Sequence, residues 1–387
     1  MIFLQITILI FLGMTAILFW GDMALLFLQR MKRFHIGRWN NPEEWYNAVN
    51  KISRKWLKST PVVSATDDSG NRILTALSRN KKNAAIQSWQ KAGLVLGLSG
   101  SVYDEDQIVL AKANSREISA DGHWINPIKK VDFALLAYAF LLNEKKPDSV
   151  KPAMDWVVGM LEDNLCSDRM ISYSKGKESN LRYVDTLGMA CPFLALYGTV
   201  YNNPEYGKLA YEQISLFRDS AVLPDNQLPC HVFLSEEKQP LGVYGWGRGT
   251  IWYVIALLGT YNAIHDGAMK EDLKYWIRQS ADSYVNYQKN DGGFYSLLQE
   301  EGQYDSSVTA GMAWFYCKCA DIFGIDEYRK ISDKCLSKLM SVTMKSGEID
   351  VCQGDTHGIG AFSQVYDIMP FAQGLTTAAI FEKIKGK

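Results

Sequence analysis

From Asn41 onward, apolar residues recur mainly at helical spacing, and polar, Gly- or Pro-bearing breaks divide the chain into segments of roughly 12–20 residues. The spacing predicts helices near 83–98, 128–143, 148–164, 185–201, 204–219, 247–264, 269–289, 307–323, 325–343 and 361–384, with a weaker one near 104–113. An opening helix begins at Pro42, with Asn41 as its cap, Pro in the first turn, and Glu43 and Glu44 at the positive end of the helix dipole. Short polar connections join consecutive helices in pairs, which argues for antiparallel hairpins rather than strand–helix–strand units. Asp291–Leu298 is the clearest exception and predicts a short turn or hairpin. No Pro/Ser-rich linker interrupts residues 40–387, so one all-α body over 41–387 is expected. A dozen paired helices fit a double ring, six inside and six outside, although spacing alone does not establish closure.

The first residues follow another pattern. Residues 1–21 carry no charged side chain, Asp22 interrupts, and the apolar run resumes to Arg30. Roughly 20 apolar residues cross the hydrocarbon layer as a helix, so residues 1–29 are expected to be a transmembrane anchor. A cleaved signal peptide fits less well, because there is no basic leading region and no A-x-A-like site before Asp22. Arg30, Lys32, Arg33 and Arg38 fall in a basic juxtamembrane segment, 30–40. The positive-inside rule then predicts a cytoplasmic body, with a periplasmic body on an uncleaved anchor as the alternative.

Composition narrows the function classes. Apolar residues make up 47% and charged residues 21% of the 387, with 30 Gly and 11 Pro, which excludes disordered and low-complexity classes. A net charge of −1 provides no global field for phosphates, so nucleic acid is not an expected partner. The seven Cys lack the spacings of a disulfide scaffold or a metal knuckle and read as thiols of a reducing compartment, Cys317 and Cys319 within an apolar helix. With five His, a multi-histidine metal centre would use most of the supply, and no metal or organic cofactor is expected. Phosphate-binding, dinucleotide-binding, zinc-protease and serine-hydrolase motifs are absent.

What stands out is aromatic residues beside isolated polar groups at helix starts. Asp185 precedes a strongly apolar segment in which Gly188 and Ala190 permit close packing. It is open to two readings: a cap for the following amides, or a general acid whose proton is retained by an aromatic pocket. In Gly245-Trp246-Gly247-Arg248-Gly249-Thr250-Ile251-Trp252, three glycines and two indoles surround one Arg. Indole faces stack on sugar rings and a guanidinium grips a carboxylate, while a structural cation–π pair is the alternative.

The stretch from Asp185 to Ala195, followed by Trp246-Gly-Arg248-Gly-x-x-Trp252, resembles the unsaturated glucuronyl and rhamnogalacturonyl hydrolases of glycoside hydrolase families 88 and 105. Asp291-Gly-Gly-Phe-Tyr, Tyr304-Asp-Ser-Ser307 and the Gly358–Ala372 region are similar to further landmarks of that family, so the likeness spans roughly 85–380. It implies an (α/α)6 barrel, here preceded by the transmembrane helix, acting without a cofactor on uronic-acid-containing oligosaccharides. In such enzymes an Asp protonates a 4,5-unsaturated uronic acid at C4 and helps water add at C5; the hemiketal opens and expels the aglycone. The two-carboxylate logic of ordinary glycosidases does not apply.

By this resemblance Asp185 matches the catalytic acid/base. Trp246, Arg248 and Trp252 match a substrate-binding triplet, His231 a cleft histidine and Asp132 a second acid. For Asp132 an ordinary capping carboxylate, and for His231 a satisfied structural histidine, stand as alternatives. Thr250-Ile251 replace the Asn-Gly usual between the Arg and the second Trp, and Asp305 stands where Glu is customary, which places substrate specificity in question. The alternative function is a catalytically altered, membrane-anchored glycan-binding protein of polysaccharide assembly.

Overall fold

The computed structural model describes residues 2–61, 63, 86–174, 176 and 179–385. The N-terminal helix α1 (Ile2–Lys32) has the length and apolarity to cross a membrane, a property that a signal sequence shares. Among the described residues, twelve further α-helices alternate between two layers. The even-numbered ones lie outside: α2 (Pro42–Lys58), α4 (Asp104–Glu117), α6 (Lys151–Asp163), α8 (Pro204–Ala221), α10 (Gly267–Tyr284) and α12 (Asp326–Ser341). The odd-numbered ones lie inside: α3 (Ser88–Ser99), α5 (Phe133–Asn143), α7 (Val184–Val200), α9 (Gly247–Ala263), α11 (Ser306–Phe323) and α13 (Pro370–Lys385).

The inner helices touch in sequence, α3 to α5, α5 to α7, α7 to α9, α9 to α11, α11 to α13, and α13 back to α3, so the ring is closed. This is the (α/α)6 barrel that the resemblance implied. Inner helices are buried nearly all round, which their near-continuous apolar sequence requires; outer helices bury one stripe. Small residues let the inner ring close: a Cβ on Gly97 would lie 2.4 Å from the Gly374 carbonyl oxygen.

Alternation makes all six inner helices run the same way. Short connections such as 100–103, 201–203 and 264–266 close one end of the barrel. Long ones, 118–132, 164–183, 222–246 and 342–369 among them, gather at the other end, where the inner helices begin. Five outer helices lead into a tight turn containing one left-handed residue: Gly122, Arg169, Gln227, Gly292 and Gly347. Four of these turns are pinned by an isolated bridge, Ile118 to Trp124, Leu165 to Ile171, Val222 to Pro229 and Thr343 to Ile349.

Among the described residues, strand structure is confined to this end. β1 (Leu181–Tyr183), β2 (Cys230–Leu234) and β3 (Gln239–Tyr244) form an antiparallel sheet, and β4 (Cys352–Gln353) pairs with β5 (Tyr366–Asp367). Neither sheet follows from the helical periodicity. The expected helix near 361–384 begins only at Pro370, because 358–369 folds into a turn and β5 before Pro supplies a first-turn φ. Residues 83–85 of the expected helix near 83–98 lie outside the described residues. All seven cysteines are free thiols, six of them buried.

Candidate functional site

Inner-helix starts bring the chemistry together. β1 feeds directly into α7, whose cap position is taken by Tyr183 without a side-chain bond, so Asp185 falls inside the first turn. It does not cap the helix, and the capping reading is thereby corrected. Gly188 permits α7 to approach α9 closely: a Cβ there would lie 2.6 Å from the Trp252 carbonyl oxygen. Trp246 precedes α9, its indole lying over Gly249, where a Cβ would come within 2.7 Å of the ring. His231 sits on β2 opposite a bulge, since Cys230 pairs with Tyr244 but Val232 with Leu241. Bulges re-aim side chains, and this one includes Gly242 at φ +77.

Asp185, His231, Trp246, Arg248 and Trp252 all line one cavity of about 310 Å³ at the open end of the barrel. Gln87, Trp89, Tyr173, Tyr183 and Asp355 complete much of its wall. Trp246 meets His231 in a tilted pair at 4.7 Å between ring centres, and Trp252 meets Phe371 at 4.6 Å and Trp89 at 5.7 Å. The Arg248 guanidinium, 1% exposed, lies 5.3 Å from the Trp246 ring and 6.0 Å from Trp89. It donates to the carbonyl oxygens of Gln353 and Gly354, each at 2.6 Å. Cation–π stacking and site membership therefore coexist in this Arg.

Burial pushes the Asp185 carboxyl up to about 7, with the Asp355 charge adding and Arg248 and Trp252 opposing. Its Oδ2 has no hydrogen-bond partner among the described residues, although the side chain is only 18% exposed. His231 is driven the other way, to about 4, by burial and by Arg248. At neutral pH its ring is uncharged, so the 3.8 Å approach of its Nε2 to Asp185 Oδ2 is a polar contact and not an ion pair. Asp355 accepts from Gln87 Nε2 at 2.8 Å, and Gln87 Oε1 accepts from the Trp89 indole at 2.8 Å.

Asp132 is not brought into the lining. It takes the cap position of α5, is 3% exposed, makes no side-chain cap bond and leaves Oδ1 unpartnered among the described residues. Burial raises its carboxyl to about 6. It lies close enough to the lining residue Tyr173 to help push that phenol up, after burial itself. Thr250 and Ile251 do not line the cavity either. The Thr250 hydroxyl donates to the Trp246 carbonyl at 3.1 Å, and Ile251 fills the space over Gly311 between α9 and α11. Their bulk, expected near the cleft, lies inside the helical wall and not in the cavity.

The wall residues that the sequence reading missed include Gln87, Trp89, Tyr173, Tyr183 and Asp355. A Gly-rich run, Gly354-Asp355-Thr356-His357-Gly358-Ile359-Gly360, was the available signal for the last. Among the described residues no group of three His, Cys, Asp or Glu side chains is placed to hold a metal ion.

The sequence model of Glycosyl Hydrolase Family 88 matches residues 110–385. No curated protein matches the chain. Among solved structures, a possible member of glycoside hydrolase family 105 from Klebsiella pneumoniae is similar, with 17% identity, a TM-score of 0.73, and coverage of 90% of this chain and 94% of that one. An unsaturated glucuronyl hydrolase responsible for the degradation of glycosaminoglycan, from a Bacillus species, aligns at 16% identity and TM-score 0.61, covering 88% and 95%. An unsaturated glucuronyl hydrolase specific for heparin aligns at 15% and 0.66, covering 89% and 99%. At such identities these likenesses concern the fold.

Proposed function

We propose, on the premise that the chain belongs to Glycosyl Hydrolase Family 88, that it is a glycosidase releasing a 4,5-unsaturated uronic acid from the non-reducing end of an oligosaccharide. The observation that carries this reading is the Asp185 carboxyl: poised at about 7, with one oxygen unpartnered, on the wall of a cavity built from indoles and one guanidinium. A group so poised is protonated in a large fraction of molecules at neutral pH and serves as acid and then base.

The protonated carboxyl delivers its proton to C4 of the enol ether, and positive charge develops at C5. Water adds at C5 and returns a proton to the Asp185 carboxylate, so the acid is regenerated. The C5 hemiketal opens and the aglycone leaves from C1. Neutral His231, within reach of the same carboxyl, orients the water. Arg248 spends part of its five-donor fork on the Gln353 and Gly354 carbonyls, and its remaining donors are available to the uronate carboxylate. Trp246 and Trp252 supply apolar faces for the sugar ring. The glycan-binding alternative rests on Thr250-Ile251 and on the N-terminal anchor; the place of Thr250 and Ile251 in the helical wall weakens the first motive and leaves the second untouched.

The test is ultraviolet absorbance of the conjugated double bond in lyase-generated disaccharides incubated with the full chain. Decay is expected with at least one uronide, falling off above about pH 7 as the acid loses its proton. Absence of decay across a broad panel would refute the reading.

A further inference from the structure

α1 is bolted to the body without slack. It ends at Lys32, and the next residue, Arg33, donates from Nε and Nη2 to the buried carboxylate of Asp350, the second bond at 2.8 Å, and reaches Asp367 at 3.4 Å. The Gly37 amide donates to the Thr343 carbonyl at 2.9 Å, and a Cβ on Gly37 would strike the Ser341 carbonyl oxygen at 2.4 Å. Lys345 lies 4.7 Å from the Trp39 ring and pairs with Glu44 at 2.6 Å. Residues 33–44 are thus part of the folded body and form no tether.

The attachment point belongs to the open end of the barrel. Asp350 and Asp367 flank or occupy β4 and β5 in the 342–369 connection, whose Gln353 and Gly354 carbonyls hold Arg248 and whose Asp355 lines the cavity. The same helix leaves the body behind: residues 2–17 are exposed throughout, so among the described residues no wall of the barrel covers them. A 31-residue apolar helix that starts from the rim of the cleft, is exposed along its outer half and carries Arg30 and Lys32 in its last turn has the chemistry of a bilayer span with headgroup-facing cations.

We infer that the mouth of the barrel faces the bilayer in which α1 sits, and that the sugar it accepts is carried on a membrane lipid. The second half rests on the hydrolase reading of the cleft; the first does not. A rigidly held cleft cannot swing toward bulk solvent, whereas confinement to the same surface raises the effective concentration of a lipid-borne sugar.

The experiment uses the full chain in phosphatidylcholine/phosphatidylglycerol vesicles, with the half-buried Cys166 replaced by Ser. A dye is placed at Ile128→Cys, on an open-end connection, or at Val102→Cys, on a closed-end connection; both positions are exposed. Quenching by headgroup-labelled lipid several-fold stronger from position 128 than from 102 is expected; equal or reversed quenching would overturn the orientation, as would a mature chain lacking α1. The second arm compares an unsaturated uronyl sugar linked to diacylglycerol in those vesicles with the same sugar on glycerol in solution. At equal bulk concentration the lipid-borne sugar should be hydrolysed roughly tenfold faster or more, reflecting that effective concentration. Equal rates would overturn the lipid substrate. Loss of both activities with quenching as expected would sink the hydrolase reading and leave the orientation standing.

Discussion

Asp185 and Asp305 each stand at the start of an inner helix, and burial pushes both carboxyls upward. They differ in where their oxygens go. Asp305 is the cap of α11: its Oδ1 accepts from the Ser307 amide and hydroxyl, each at 2.8 Å, and from the Gln353 amide at 3.2 Å. Asp185 comes two residues after the cap of α7, beyond the geometry that caps, and faces the cavity instead. A perturbed carboxyl is therefore not a sufficient mark of chemistry. Asp305 Oδ2 is, like Asp185 Oδ2, without a hydrogen-bond partner among the described residues, so what separates the two is that Asp185 lines the cavity and Asp305 does not.

The largest expected effect is from Asp185→Asn, which should lower kcat by roughly 10²–10⁴-fold while leaving helical circular dichroism unchanged. The same variant carries a sign. Because the folded carboxyl sits at about 7, above its ordinary 3.8, the folded state binds the proton more tightly than the unfolded chain. Stability from this site is full below about 4 and lost as pH rises through about 7. Asn removes that loss, so its advantage in denaturant melts should grow across the window, toward an upper limit of about 4 kcal/mol.

Asp305→Ala should instead act on stability. Losing a cap costs roughly 0.5–2 kcal/mol, and an unpaired buried Gln353 amide about 1–3 more, read as a lowered denaturation midpoint with the rate per folded molecule nearly preserved. A rate collapse without destabilisation would erase the distinction between the two aspartates. Thr250→Val should be smallest, below about 1 kcal/mol in stability and neutral in kcat/KM, because only a hydroxyl bond within the helix is removed. A tenfold loss of kcat/KM would return that residue to the cleft.

Much of this arrangement is written locally. Helical periodicity and the Asn41-Pro42 start find most of the barrel, since each helix declares its own stripe; the Asn41 side chain does accept from the Glu44 amide at 2.8 Å. Asp185, Trp246, Arg248 and Trp252 are legible because each lies on or beside an inner-helix start. Asp355 and Tyr173 are not, because they sit on long connections with no period to read. The three-stranded sheet escapes for a similar reason: strands of three to six residues pair across the barrel rim and carry no long β-branched run. Ile251 misleads because sequence gives its neighbours along the chain, whereas its contact is Gly311 on another helix.

The left-handed turns at Gly122, Arg169, Gln227, Gly292 and Gly347 give the barrel a modular edge. Each connection departs through the same elbow and must return only to the head of the next inner helix. Whatever lies between can be lengthened, shortened or exchanged without re-registering the wall, so a loop graft between elbow and helix head is the natural way to re-tailor the rim.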